Sequence, residues 1–304
     1  MAVAVSGYVA TRHAPVQFKL QRATALPAQS FDHFDFSNYW LATHGQPQLP
    51  LHAQAAYLVD LDTRQVLWQR DQETARAPAS LTKLITAMVA MDNAGSLDRV
   101  IEVTPEATKI EPSVMGLSPG ERVTVREVLY GLLLDSGNDA AEALASGIVP
   151  RERFVRQMNL KAKSIGLTAS HFTNPSGLDA PGHGMSAHDL AHVAAYFETY
   201  YPELAAIAAT RDFKIAATST HKAFQPHNMN RLLGTYPGAT GLKPGFTGDA
   251  GGCMLATATR GNRHLIAVVL NATQHSTEDA ATLLNYGFSV HPDRALGPWS
   301  SSTQ

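Results

Sequence analysis

The feature that most limits how this chain can fold is where its two kinds of hydrophobic periodicity fall. Strand-like runs lie towards both ends of one body, and helical runs fill the middle. Ala56-Tyr57-Leu58-Val59 and Gln65-Val66-Leu67-Trp68 flank an Asp-rich stretch, Asp60 to Arg64, which predicts a β-hairpin. Far downstream, Phe213 to Thr218, Cys253 to Thr259 and His264 to Ala272 are again strand-like, and Arg260-Gly261-Asn262-Arg263 forms a turn between the last two. The economical arrangement is one antiparallel sheet drawn from both chain ends, with helices packed on it. The expected class is α/β, of the α+β kind, with an inserted helical lobe.

The helices themselves are well marked. After Pro78, residues Leu81, Leu84, Ile85, Met88 and Val89 follow the i, i+3, i+4, i+7, i+8 pattern of one buried face, and Gly95 supplies a stop. Thr124-Val125-Arg126-Glu127 has the form of a capping box, with Val128, Leu129, Leu132 and Leu133 pointing inward. Asp135-Ser136-Gly137-Asn138 breaks that helix, and another follows through Ala140 to Ala145. Arg151 to Ile165 is amphipathic and ends at Gly166. Ser186 opens a helix carrying Leu190, Val193, Ala194 and Phe197, and Thr277 to Phe288 closes the body.

Composition bounds the function. A chain of 304 residues buries about three quarters of its unfolded surface and needs no covalent staple. Apolar residues make up 44% and charged residues 16%, which is globular. Lys+Arg 24 against Asp+Glu 26 gives a net charge of −2, which argues against a general nucleic-acid partner but leaves room for a local cationic site. The single cysteine, Cys253, excludes an internal disulfide and any cysteine-based metal cluster, and its apolar strand makes a buried, inert thiol the default. No run approaches the roughly 20 apolar residues that span a bilayer.

Residues 1 to 52 read as an N-terminal extension. Met1 to Ala10 is mildly apolar without a leading basic residue, which fits either a plain tail or the remnant of an export signal or anchor. Pro15, Pro27, Pro47 and Pro50 mark a linker. Five aromatics within ten residues (Phe31, Phe34, Phe36, Tyr39, Trp40) predict that part of it docks on the body. Residues 53–290 form the expected catalytic domain, and 291–304 a loose tail.

Ser80-Leu81-Thr82-Lys83 carries the first chemical signal. Positions i and i+3 share a helix face, so the serine hydroxyl and lysine amine can meet. A serine needs an adjacent base to act as a nucleophile, and a lysine kept neutral by burial or a nearby cation can be that base. The pattern is weak by itself, and Ser219-Thr220-His221-Lys222 repeats it. Company separates the two: Ser136-Gly137-Asn138 lies at a helix break, and Lys243-Pro244-Gly245 further on.

In this order and spacing the chain resembles the D-alanyl-D-alanine carboxypeptidases, low-molecular-weight penicillin-binding proteins of the β-lactamase/transpeptidase-like fold. Pro78 to Leu84 resembles the family's nucleophile segment. Asn174-Pro175-Ser176-Gly177-Leu178-Asp179-Ala180-Pro181-Gly182-His183 resembles its loop between the second and third motifs. Gly241 to Thr247 resembles its third motif, and Leu283 to Phe288 the end of its catalytic domain. The resemblance implies Ser80 as the acylated nucleophile, Lys83 as its base, Ser136 as a proton relay and Asn138 as a holder of Lys83 and of substrate backbone. It implies that Lys243 attracts the peptide carboxylate and keeps Lys83 neutral, that the N–H groups of Ser80 and Phe246 form an oxyanion hole, and that substrate pairs along Lys243–Thr247, where Gly245 and Thr247 also lie. The implied reaction removes the terminal D-alanine of a peptidoglycan stem peptide outside the cytoplasm, with no metal or cofactor, and β-lactams acylate the same serine.

Two departures stand out. The third motif is normally Lys-Thr-Gly or Lys-Ser-Gly, and Pro244 here lacks both the hydroxyl and a backbone donor. Thr247, nearby and hydroxylic, is the expected compensator. Only some 14 residues follow Val290, so any membrane attachment is expected from the N-terminal side. Two other functions compete: a non-catalytic peptidoglycan- or penicillin-binding protein weakened at Pro244, and a class A β-lactamase. The second would need a Glu-x-x-Leu-Asn segment, which does not occur between Asn138 and Lys243. His188 and His192, at i and i+4, suggest a metal pair, but no convincing third ligand accompanies them. His183 is expected either in the cleft or in surface packing.

Overall fold

Asp60 closes the first hairpin. Its Oδ1 accepts the backbone N–H groups of Asp62 (3.1 Å) and Thr63 (2.9 Å), and Arg64 turns the chain at φ 56°. β1 (Ala55–Asp60) and β2 (Gln65–Arg70) therefore pair antiparallel, Asp60 opposite Gln65. These positions come from a computed structural model that describes residues 34–292. The expectations for residues 1–33, Phe31 among them, and for the tail beyond Pro292 lie outside that range.

The remaining elements are the helices α1 (Tyr39–His44), α2 (Lys83–Ala94), α3 (Val125–Leu133), α4 (Asn138–Ile148), α5 (Arg151–Ser164), α6 (Ala187–Tyr200), α7 (Pro202–Ala208) and α8 (Ser276–Ser289). The strands are β3 (Val100–Glu102), β4 (Arg122–Thr124), β5 (Ala239–Thr247), β6 (Gly251–Arg260) and β7 (Arg263–Leu270). The main sheet runs β2-β1-β7-β6-β5, antiparallel throughout. Strands from the two chain ends meet where β1 lies beside β7, as expected from the sequence. The buried Asp60 carboxylate seals that junction by accepting Arg263 Nε (3.0 Å) and Nη2 (2.7 Å).

Helices cover both faces of the sheet, so all six residues of β1 are buried and the usual in–out alternation is absent. α8 packs Leu283 and Leu284 against Leu58, Met254, Ala256 and Val269 on one face. α6 lies on the other, against β1 and β7. The lobe of α2 to α5, with the small β3–β4 sheet, is inserted between β2 and β5.

Several local signals formed as the sequence predicts. Thr124 and Glu127 make a reciprocal capping box, and the Ser186 side chain caps α6 by accepting Asp189 N–H. The helix after Pro78 differs in detail. It begins as a 3-10 turn, Ala79–Thr82, before α2, and α2 is buried on nearly every side rather than on one face. It is the central helix, enclosed by α3, α4, α5 and α6. Phe213 to Thr218 is not a regular strand: only the isolated bridges Asp212–His227 and Ile215–Phe224 form, Phe213 N–H donates to Pro226 O at 3.0 Å, and the Phe213 ring stacks on Tyr130 with centroids 3.6 Å apart. Of the N-terminal aromatics that are described, Phe34, Phe36 and Trp40 dock, whereas Tyr39 is 63% exposed. Phe34 is buried, Phe36 meets His192 edge-on at 5.0 Å, and Ser37 bridges to Gln65 of β2.

Candidate active site

Ser80 lies in the 3-10 turn, and Lys83 opens α2 with its side chain fully buried. Lys83 Nζ stands 2.8 Å from Ser80 Oγ, 2.7 Å from Asn138 Oδ1 and 2.6 Å from the Ser176 carbonyl. Two of these partners can only accept. Ser176 offers a backbone oxygen, and the Asn138 amide is oriented by its Nδ2, which donates to Glu111 O at 2.8 Å. A neutral amine has two N–H groups and one lone pair. Donating both leaves the lone pair for the Ser80 hydroxyl, which is the geometry of a general base on its nucleophile. Burial, and then the positive charge of Lys243, hold the Lys83 pKa well below the ordinary lysine value, with Asp139 opposing.

Ser136 and Asn138 occupy the break between α3 and α4. Ser136 adopts φ 60°, a left-handed conformation that turns the chain in place of a continuing helix. Asp139, which the sequence reading did not single out, fixes the adjoining loop. Its buried carboxylate accepts the N–H groups of Met115 (2.8 Å), Gly116 (2.8 Å) and Leu117 (2.9 Å). Asn138 N–H in turn donates to Ser113 O at 2.7 Å.

The third wall is β5, the edge strand, where a proline is tolerated. A Cβ added to Gly245 would sit 2.9 Å from Ser80 N and 3.0 Å from Ala79 Cβ, so the strand approaches the nucleophile turn at a position only glycine fits. Lys243 is fully buried, and burial pushes its pKa down to about 7, with Asp135 opposing. Phe246 is 64% exposed at the rim. Thr247, expected to replace the hydroxyl missing at Pro244, donates to Asp179 Oδ1 (2.6 Å) and accepts Ala250 N–H (3.1 Å). Its proton is committed within the protein.

Ser80, Ser136, Asn138, Leu178, Gly245 and Phe246 line one cleft of about 500 Å³. The predicted Ser80, Lys83, Ser136, Asn138 and Lys243 thus converge, with Gly245, Phe246 and Thr247 along the strand. Behind the turn lies the 174–183 loop. A Cβ on Gly177 would lie 1.9 Å from Ala79 O, and Gly177 also takes φ 86°. His183 is buried there rather than in the cleft. Thr173 N–H donates to its Nδ1 (3.1 Å), so Nε2 carries the proton and donates to Thr82 Oγ1 (2.9 Å). Burial, then His171, lowers its pKa to about 4. The motif resemblance flagged this loop, but nothing in spacing alone assigns it a supporting role.

The other candidates lie elsewhere. Ser219 and Lys222 are exposed, and Lys222 Nζ reaches Ser118 Oγ at 2.6 Å. His192 Nδ1 contacts His188 O at 3.0 Å, and the two rings pack against Phe36 (His192) and Tyr57 (His188). Cys253 is buried, and burial raises its thiol pKa to about 11.

Residues 42–274 match the profile of a family described as D-alanyl-D-alanine carboxypeptidase. The chain is 36% identical over 259 residues to D-alanyl-D-alanine carboxypeptidase DacF of Bacillus subtilis, covering 82% of this chain and 65% of that protein. It therefore spans just under two thirds of that relative. It is 36% identical to DacB2 of Mycobacterium tuberculosis, covering 92% of this chain and 99% of DacB2. A crystal structure of a D-alanyl-D-alanine carboxypeptidase from the same organism superposes with a TM-score of 0.76 at 35% identity, covering 84% of this chain and 98% of that one. A shared profile, relatives similar along most of this chain and a matching backbone agree with one another: the chain belongs to the D-alanyl-D-alanine carboxypeptidase family.

Proposed function

We propose that this protein is a serine D-Ala-D-Ala carboxypeptidase whose catalytic domain is residues 53–290. The observation that carries the reading is the Lys83 amine, buried and aimed at Ser80 Oγ at 2.8 Å while both of its N–H groups are engaged by acceptors. Ser80 Oγ attacks the carbonyl carbon of the penultimate D-alanine, and its proton passes to Lys83 Nζ. The N–H groups of Ser80 and Phe246 hold the oxyanion. The C–N bond breaks, and the leaving D-alanine amine takes a proton relayed through Ser136. Water then hydrolyses the acyl-enzyme ester and restores Ser80.

Asn138 holds Lys83 and the substrate backbone, and substrate pairs with the free edge of β5 as an added strand. The substrate is a peptidoglycan stem peptide, met on the extracytoplasmic side, and β-lactams acylate Ser80. Among the described residues no helix is long and apolar enough to cross a membrane.

The test is D-alanine release from a diacyl-L-Lys-D-Ala-D-Ala peptide. Wild type should release it and Ser80→Ala should not, and only wild type should gain the mass of one covalently bound penicillin. Penicillin labelling without D-alanine release would favour the non-catalytic alternative. Rapid penicillin turnover would favour a β-lactamase.

A further inference from the structure

We infer that Arg231 is the cation that receives the terminal carboxylate of the substrate, in the role that Pro244 cannot fill. The inference rests on the carboxypeptidase reading and names a binding residue within it. A peptide ending in a free carboxylate brings one full negative charge into the cleft, and that charge needs a partner once water is displaced. Pro244 has no hydroxyl and no N–H. The Thr247 proton is held by Asp179. Lys243 is wholly enclosed, with its Nζ 3.4 Å from Leu133 O, and burial weakens its hold on its proton. None of these supplies an exposed, permanent cation.

Arg231 does. Among the described residues lining the cleft it is the single charged side chain, alongside Ser80, Pro244 and Gly245. It is exposed, and its guanidinium makes no hydrogen bond or ion pair within the described residues. The segment that presents it is rigidly built. Asn228 Nδ2 donates to Ala208 O and Thr210 O, both at 2.8 Å. Asn228 Oδ1 accepts Asn230 N–H (2.9 Å), and Asn230 Oδ1 accepts Leu232 N–H (3.0 Å). Met229 N–H donates to Leu134 O at 3.1 Å, which ties the segment beside the Ser136 turn. Asn228, Asn230 and Leu232 are buried while Met229 and Arg231 face out, so the alternation that anchors the segment also aims Arg231 at the cleft. A guanidinium stays charged at any working pH and offers a planar fork that matches a carboxylate.

Two measurements test this separately from the activity itself. The first is binding of diacyl-L-Lys-D-Ala-D-Ala and of its C-terminal carboxamide to Ser80→Ala protein, followed by NMR titration. Arg231→Ala should weaken binding of the acid about ten- to a hundredfold and leave binding of the amide within about twofold, with Arg231→Lys in between. The second is D-alanine release by protein with Ser80 intact, where Arg231→Ala should raise KM for the acid far more than it lowers kcat. Equal weakening of acid and amide, or none for the acid, overturns the inference. If wild type releases no D-alanine while the acid still binds in an Arg231-dependent way, the carboxypeptidase reading fails and the carboxylate site stands.

Discussion

Gly245 and Ser80 are so close that no side chain fits between them: a Cβ on Gly245 would lie 2.9 Å from the Ser80 amide nitrogen. That nitrogen is one of the two donors assigned to the oxyanion hole, and the neighbouring Phe246 carries the other. In the proposed mechanism the separation of a 3-10 turn and an edge strand therefore sets the width of the hole.

Gly245→Ala should spoil this spacing. The methyl must push β5 or the Ala79–Ser80 turn outward, and mislaying one oxyanion donor costs about a hundred- to a thousandfold in rate. The strand remains paired with β6, so thermal unfolding should shift by only a few degrees. Stopped-flow acylation by a fluorescent penicillin measures the first effect and circular dichroism the second. Unchanged acylation would remove Gly245 from the argument.

Lys83 gives the reaction its acid limb. Its pKa lies well below the ordinary lysine value in the folded protein. In the proposed mechanism the neutral amine is the base, so acylation should rise with pH until Lys83 is fully deprotonated and then level off. Lys83→Arg should abolish the limb and lower the rate about a hundred- to ten-thousandfold, because a guanidinium cannot be deprotonated. A pH profile of single-turnover acylation reads both.

Much of this was legible in the sequence, for identifiable reasons. The hairpin at Asp60 and the capping box at Thr124 are local devices, formed by side chains two or three residues from their partners. Pairing of the chain ends followed from where the strand-like runs fell. Three things depended on contacts far apart in sequence. Phe213 to Thr218 alternates like a strand, but the segment facing it, 221–227, returns only isolated bridges, because Pro226 has no N–H to donate. Thr247 looked like a free hydroxyl until Asp179, 68 residues away, took its proton. Asp139 and His183 hold the site's surroundings through backbone groups and a hydroxyl, Met115 to Leu117 and Thr82, that no local pattern connects to them.

Pro244→Thr restores the hydroxyl that the third motif usually carries. With Arg231 already receiving the carboxylate, the gain in kcat/KM for D-alanine release should be small in wild type, within about threefold. In the Arg231→Ala background it should be larger, about ten- to a hundredfold, because the hydroxyl then replaces a missing charged hydrogen bond. Four proteins and one substrate complete the cycle. Additive effects would mean that the two positions serve different groups of the substrate.

Lys243 ties function to stability, and pH separates the two. Its pKa is about 7 in the folded protein against the ordinary 10.5, the cost of enclosing the charged amine. Between these values the unfolded chain binds more protons than the folded one, so this residue makes stability rise with pH. Its destabilising effect is fully present below about pH 7 and fades as pH climbs towards 10.5. Lys243→Met fills similar space without a charge, so the variant should melt higher than wild type near neutrality. The difference should shrink steadily by pH 10, and acylation should fall only towards and below pH 7, where Lys243 is charged and lowers the pKa of Lys83. Thermal melts of both proteins across pH 6.5 to 10 decide it. A difference in Tm that does not vary with pH would mean that Lys243 keeps its proton throughout that range.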